Sequence, residues 1–422
     1  MNIYFILLSM SIFFIQLPPF VIITKQITVY RVSEIIIAFL FFVIIIIKKT
    51  KLNLPQSPSL LISLFFFSQS LSIINTIDFK SFLFRYEILI FFYLIYICLN
   101  YYLNKPLTKK LVNLTIYFCL MQIFFELIFL ISPSNIKLFI TSFLHPEASE
   151  IIIFNMRRNR IYLEHYLFLF IPILLYKLTV VKTFLKKIYY LLLVFLLFFL
   201  SLTTGFRIYF LLSLAGLSWG FYLFKKIEIF KKKFFFIWLT FLGLFFIHSS
   251  FFDKSDLFRR MLLLKNEQEL SSIIGRVEMW KNAFYFGISH IFFGVGLGNY
   301  FLYQSEINKL KYSLGYKFLK NSTLQVFDDP HNIFLSIFSQ SGILGLISFL
   351  ILIIKFLKDD LISLFLFINK KNKSILDDSL ILKINVIISF WLLMIYLTVN
   401  PFNTIRSVFY FILFRSLIIK VK

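Results

Sequence analysis

Apolar residues in this chain gather into long runs separated by short polar clusters. The stretches 35–47, 189–202 and 234–247 contain no charged residue. About twenty apolar residues cross a bilayer as a helix, and such runs recur along the whole length. The pattern predicts an all-α, polytopic membrane helical bundle of about twelve transmembrane helices. The expected spans are 3–23, 32–47, 58–75, 82–103, 111–132, 161–181, 188–204, 206–224, 234–252, 332–354, 379–399 and 402–419. Segment 361–368 is too short to cross and is expected at the cytoplasmic interface. The first run has no basic leader, and Pro18-Pro19 stands where a small-residue cleavage site would be, so it is expected to be retained as a helix.

One long polar region interrupts this pattern, at 253–331, and a smaller one at 133–160 holds Arg157, Arg158 and Arg160. The larger region carries its own amphipathic helix. Ser271 or Ser272 is the expected cap, and Ile273, Val277, Trp280 and Phe284 recur at helical spacing. This helix is expected to lie on the membrane or to lid a cavity, with Trp280 at headgroup level. Gly294-Val295-Gly296-Leu297-Gly298 follows and reads as a flexible, tight corner, since it lacks the strand–turn–helix setting of a nucleotide site. No internal repeat or low-complexity linker is evident. A single integral membrane domain over 1–422 is expected, with 253–331 as a large periplasmic loop within it.

Composition sharpens the picture. The chain is 59% hydrophobic with 60 Phe, and its net charge is +24. That charge could suggest nucleic acid, but its placement argues otherwise. Lys48, Lys49 and Lys51, then Lys105, Lys109 and Lys110, then Lys182, Lys186 and Lys187 sit in short loops. Lys225 to Lys233 and Lys355 to Lys373 continue the series. The clusters fall in every second loop, as the positive-inside rule requires of cytoplasmic loops. Both termini are then expected in the cytoplasm, no nucleic-acid partner is implied, and the lipid bilayer is the environment. Cys98 and Cys119 both lie inside apolar segments and indicate neither a disulfide framework nor a Cys-based metal site.

The chemistry must come from the few polar exceptions. At Asp329-Pro330-His331-Asn332 an apolar helix begins. Asp329 suits the N-cap and Pro330 the first helical position, which puts His331 in the first turn. An imidazole there stands at the membrane boundary beside N–H groups that favour anions. The plainer reading is a cap histidine bonding Asp328 or Asp329. Arg207, after Thr203-Thr204-Gly205-Phe206, either reaches the outer headgroups or serves as an anion clamp. Arg276 is four residues from Trp280 and shares its helix surface; a lone loop arginine is otherwise a solvated charge. Asp328 and Asp329 could hold a divalent cation but lack further spaced ligands. Glu164-His165 is a proton relay or a buried polar pair. Arg85 and Glu87 do not face each other and need other partners, while Gly342 and Gly345 suit close helix packing.

Three pieces together resemble one family. Gly275-Arg276-Val277-Glu278-Met279-Trp280 with Phe292-Phe293-Gly294-Val295-Gly296-Leu297-Gly298-Asn299-Tyr300 is similar to the loop signature of the bacterial O-antigen ligase and O-antigen polymerase superfamily. His331-Asn332-Ile333-Phe334-Leu335 with Gly342-Ile343-Leu344-Gly345-Leu346 resembles its histidine-asparagine helix start. Thr204-Gly205-Phe206-Arg207 resembles its earlier arginine element, with Phe206 a departure. The resemblance covers roughly 200–355. It implies a metal-independent, cofactor-free membrane glycosyltransferase at the periplasmic face of the bacterial inner membrane. The donor would be a glycan on undecaprenyl pyrophosphate, and the acceptor a hydroxyl of lipid A–core (ligase) or of a second lipid-linked glycan (polymerase).

The residues suit that task. Arginine forks fit diphosphate oxygens better than lysine does, and histidine suits a base acting on a sugar hydroxyl. The expected mechanism is direct, inverting displacement. Arg207 and Arg276 bind pyrophosphate, His331 orients or deprotonates the acceptor, and Asn332 and Trp280 support. A ligase is favoured, with a polymerase close behind. A lipid-linked sugar transporter would more often show internal repeats and charge scattered through the bundle.

The topology makes a direct prediction. A cysteine at Gln304 is expected to react with an impermeant thiol reagent on intact spheroplasts, because the flanking loops carry the inward-directing lysines. Labelling only after the inner membrane is permeabilised would reverse the assignment.

Overall fold

The computed structural model describes residues 3–16, 29–48, 56–131, 167–203, 207–227, 267–303, 330–369, 378–398 and 405–420, and every regular element among them is helical. In chain order these are α1 (Ile3–Gln16), α2 (Val29–Lys48), α3 (Gln56–Leu71), α4 (Phe79–Tyr102) and α5 (Lys105–Ile131). Then come α6 (Ile171–Val180), α7 (Phe184–Thr203), α8 (Arg207–Ile227) and α9 (Glu267–Ser289). The series closes with α10 (Ile333–Asn369), α11 (Asp378–Leu397) and α12 (Ile405–Lys420). Single 3₁₀ turns at Ser72–Asn75 and Leu167–Phe170 lead into α4 and α6.

The fold is all-α, with several long apolar helices of the multi-pass membrane kind. By length and composition, three helices among the described residues suffice to cross a membrane: α4, α10 and α11. This is fewer than the dozen that the apolar runs predict. Five shorter apolar helical stretches lie within other expected spans, at Ile3–Ile12, Val32–Ile44, Leu60–Asn75, Phe168–Val180 and Leu211–Phe224. The expected span 234–252 lies outside the described residues, as do the 133–160 loop and Glu164-His165.

Segment 361–368 is not a separate interfacial piece, because α10 runs through it to Asn369. What divides this helix lies earlier. Gly342 has φ 66 and ψ −164, a conformation open essentially to glycine alone, so α10 is a short helix before Gly342 and a long one after it. Gly342 is thus a backbone break as well as a point of close approach, where a Cβ would meet the Phe292 backbone.

The centre of the bundle is α11, which packs on α6, α10 and α12 and is apolar nearly all round, with Ile384, Val386, Ile387, Phe390 and Leu393 buried. Within lipid, hydrophobicity does not distinguish one helix neighbour from another, so side-chain hydrogen bonds and packing specify the pairs. Trp219 Nε1 donates to Asn385 Oδ1 (3.0 Å), Ser389 Oγ to the Leu169 carbonyl (2.7 Å), and Ser68 and Ser348 share a bond of 2.8 Å. The strongest such contact joins three helices. Arg415 Nη1 of α12 and Trp391 Nε1 of α11 both donate to Asp360 Oδ2 of α10, at 2.6 and 2.9 Å. The Arg415 guanidinium lies over the rings of Phe356 (3.8 Å) and Phe390 (4.6 Å). Both charged side chains are almost wholly buried, at 3% and 1% exposure.

Breaking a buried pair leaves an uncompensated charge, which costs roughly 3–5 kcal/mol, whereas replacing both members by apolar groups is often neutral. Arg415→Met is therefore expected to lower the unfolding midpoint in detergent sharply, and Asp360→Leu/Arg415→Met to recover most of the loss. Equal loss in the double variant would show that the charges are not coupled.

Candidate active site

The site is built where α9 meets the start of α10. Asn332 is the N-cap of α10. Its Oδ1 accepts from the Phe334 and Leu335 N–H groups (3.0 and 3.1 Å), while its carbonyl accepts the first helical bond from Ser336 (2.7 Å). The expected cap at Asp329 is thus displaced by three residues, and Asp328 and Asp329 themselves lie outside the described residues. Pro330 precedes the helix instead of opening it. His331 stands just before the cap, not in the first turn, and has φ 48. It is the one non-glycine residue with positive φ among the described residues. Histidine enters this left-handed region more readily than bulky residues, but the conformation still costs on the order of 1 kcal/mol or more. His331 is half-buried there, directly before the Asn332 cap.

Arg276 and Trp280 lie on α9, which begins at Glu267, so Ser271 and Ser272 fall inside the helix and not at its start. Its buried face also differs from the expected stripe. Met279, Asn282, Ala283 and Phe286 turn inward, whereas Val277, Trp280, Phe284 and Ile288 stay exposed, Phe284 by 54%. Periodicity identified an apolar face correctly but not what it faces: the inward side includes Ala283 and Gly287, which let α10 approach. Gly287 lies against the Phe338 ring, closely enough that a Cβ would overlap it. Leu335 packs into the cluster of Ala283, Phe286, Val295 and Tyr300. Trp280 and Arg276 lie about one and two helical turns before Ala283 on α9, and His331 precedes the α10 helix start. The Arg276 side chain is exposed.

The glycine corner locks the two helices together. Gly294, with φ 68, returns its N–H to the His290 carbonyl (2.8 Å) and ends the helical path. Val295 and Gly296 then donate to the Ser339 and Gln340 carbonyls (2.9 and 3.0 Å), which the break at Gly342 has released from helical bonding. Ile343 N–H, beyond the break, donates to the Ile291 carbonyl (2.7 Å), and Gly298 N–H to Gln340 Oε1 (2.8 Å). A Cβ on Gly294 would meet the Gln340 and Ser341 backbone, and one on Gly342 the Phe292 backbone. The corner is therefore not flexible; it is bonded along its length. On its other side it meets the turn between α3 and α4. Asn75 Nδ2 donates to the Gly294 carbonyl (2.8 Å), and Asp78 N–H to Asn299 Oδ1 (2.7 Å). Arg85, whose role sequence left open, lays its stem along the corner, its Cγ 3.0 Å from where a Gly298 Cβ would be. Asp78 caps α4; its hydrogen bond from Ser81 and those from the Lys80 and Ser81 N–H groups hold its carboxyl below the ordinary carboxylate range.

Arg207 is the first residue of α8, and its side chain, with Thr204, Gly205 and Phe206, lies outside the described ones. Residues that sequence reasoning missed are Asn75, Asn299 and Gln340, polar side chains that each bond at least one main-chain group more than forty residues away. The one available signal was that polar side chains flank the glycines and the helix break. Among the described residues no three of His, Cys, Asp and Glu assemble into a metal-binding group.

Residues 166–350 match the family described as O-antigen ligase, a stretch that runs from the turn before α6 through the corner and into α10 beyond its break. No curated protein matches the chain.

The lock predicts a graded response to adding one methyl group. Gly342→Ala imposes a forbidden backbone conformation as well as a clash and is expected to cost on the order of 3 kcal/mol or more. Gly216→Ala, whose Cβ would meet Ile171 Cγ2 at 3.3 Å within an ordinary helix pair, is expected to cost far less. Thermal unfolding of the two variants in one detergent checks the order.

Proposed function

We propose, from the premise that residues 166–350 carry a domain of the O-antigen ligase and polymerase superfamily, that this protein is an inverting membrane glycosyltransferase. It moves a glycan from undecaprenyl pyrophosphate to a hydroxyl acceptor at the periplasmic face of the bacterial inner membrane. In this reading the chain is a single integral domain of about twelve spans with both termini cytoplasmic, and 253–331 is its periplasmic loop. The observation that carries the proposal is the strained His331 at a capped helix start, joined through the glycine corner to the helix bearing Arg276. Strained residues of this kind persist where surrounding contacts over-determine them, and they cluster at working sites.

The acceptor oxygen attacks the anomeric carbon as the bond to the pyrophosphate oxygen breaks. The acceptor proton passes to the neutral His331 imidazole, and the electron pair leaves with undecaprenyl pyrophosphate. Arg207 and Arg276 bind that diphosphate and offset its growing charge, for which paired guanidinium forks are suited. Asn332 holds the helix start on which His331 depends. The exposed apolar stripe of Val277, Trp280, Phe284 and Ile288 suits contact with lipid, and Trp280 suits the headgroup level.

Lipid A–core is the favoured acceptor, because the histidine-asparagine helix start and the long loop before it match the ligase pattern well. A second lipid-linked glycan would make the protein a polymerase, and transport of the lipid-linked sugar would leave the donor intact. Release of undecaprenyl pyrophosphate by purified protein, with each acceptor offered separately, distinguishes the three.

His331→Ala is expected to lower turnover by roughly 10²-fold or more while leaving donor binding largely intact. A base must be neutral to act, so wild-type turnover is expected to rise with pH as the imidazole loses its proton, and the variant to lose that dependence. Arg276→Lys is expected to impair transfer, since a point charge replaces a fork. Full turnover in His331→Ala, at normal protein levels, would remove the histidine from the chemistry.

A further inference from the structure

We propose that Asn299 is a positioning residue for this transfer site, and that it acts by tying the glycine corner to the turn between α3 and α4. That turn lies outside the 166–350 region, so a segment the family match does not cover becomes a working part of the site. The inference rests on the roles assigned above to Arg276 and His331.

Asn299 is fully buried, and its side chain bonds only to main chain. Oδ1 accepts from Asp78 N–H (2.7 Å), and Nδ2 donates to the Asp78 carbonyl (3.3 Å) and to the Leu297 carbonyl (3.0 Å). An amide carries its acceptor and its donor on separate atoms, so it can serve both the N–H and the C=O of one residue, as a neighbouring strand would. Two further bonds hold the same turn. Asn75 Nδ2 reaches the Gly294 carbonyl (2.8 Å), and Tyr303 Oη reaches the Asn75 carbonyl (3.2 Å). The corner is thus gripped from two sides, by the α10 break on one and by residues 75–78 on the other.

The grip is transmitted to the reacting groups through short paths. Tyr300, adjacent to Asn299 and fully buried, donates to the Met279 carbonyl (3.0 Å), within the α9 turn that carries Arg276 and Trp280. Gly298, on the other side of Asn299, donates to Gln340 Oε1 (2.8 Å) in the short helix that begins at Asn332. A shift of the corner therefore moves the arginine's helix against the histidine's. Misplacement of about 1 Å at a reacting centre is enough to cost about 10²-fold in rate.

Asn299→Leu keeps the number and branching of side-chain heavy atoms and removes all three hydrogen bonds. The expected result is a fall in kcat per folded molecule of about tenfold or more, while affinity for undecaprenyl pyrophosphate changes by less than about threefold, because the cations remain and only their alignment with the base is lost. A second measurement does not depend on transfer. Phe284 and Phe338 have ring centroids 6.0 Å apart. In a chain with Cys98 and Cys119 replaced by alanine, cysteines at these two positions are expected to cross-link with a short bifunctional reagent, and Asn299→Leu to reduce the yield at least about threefold. Either an unchanged cross-link or an unchanged kcat per folded molecule overturns the proposal, as does a kcat loss that only follows the loss of folded protein. If the parent protein transfers no glycan at all, the transferase reading fails, and the cross-linking result still decides whether Asn299 holds the corner.

Discussion

The carbonyls of Ser339 and Gln340, released where α10 breaks at Gly342, accept from the N–H groups of Val295 and Gly296, and the arrangement of the candidate site depends on these bonds. A broken helix exposes backbone groups that must find partners, because leaving them unsatisfied in an apolar setting costs several kcal/mol each. The partners come from a loop whose glycines allow the two backbones to approach closely. One break and one corner thus satisfy each other. The helix bearing Arg276 is consequently fixed against the helix start bearing His331, although more than fifty residues of chain separate the two side chains.

Away from the site, the bundle is organised by a small number of polar contacts in an apolar mass. Hydrophobicity drives these helices into a membrane but gives them little reason to choose neighbours. The Asp360–Arg415 pair with Trp391 supplies such a reason for α10, α11 and α12. Asn385 with Trp219, and Ser389 with the Leu169 carbonyl, do the same for α11 against α8 and the turn before α6. The long part of α10 is therefore anchored well below its break, which keeps the broken end in place for the corner to grip.

Several features were legible in the sequence for local reasons. The helical class followed from uninterrupted apolar runs, and a helix start beside His331 followed from a capping residue with a proline nearby. The glycine-rich turn and its motif resemblance were visible as well. Errors arose where two local rules competed. Asp329 and Asn332 are both good caps, and the geometry chose Asn332 because His331 takes a left-handed conformation that a helix beginning at Pro330 could not contain. In α9 the large apolar residues pointed to one buried face, while Ala283 and Gly287 made another face the one where α10 could come close.

What the sequence determined by itself is what depends on near neighbours along the chain: which stretches are helical and apolar, and where charge gathers. Only the tertiary structure decided that Gly342 breaks a helix, and that Asp360 finds Arg415. It likewise decided that Asn299 closes on Asp78. Each of these joins groups dozens to hundreds of residues apart, and a buried polar atom is satisfied by whichever partner folding brings within about 3 Å, a matter on which spacing along the chain is silent.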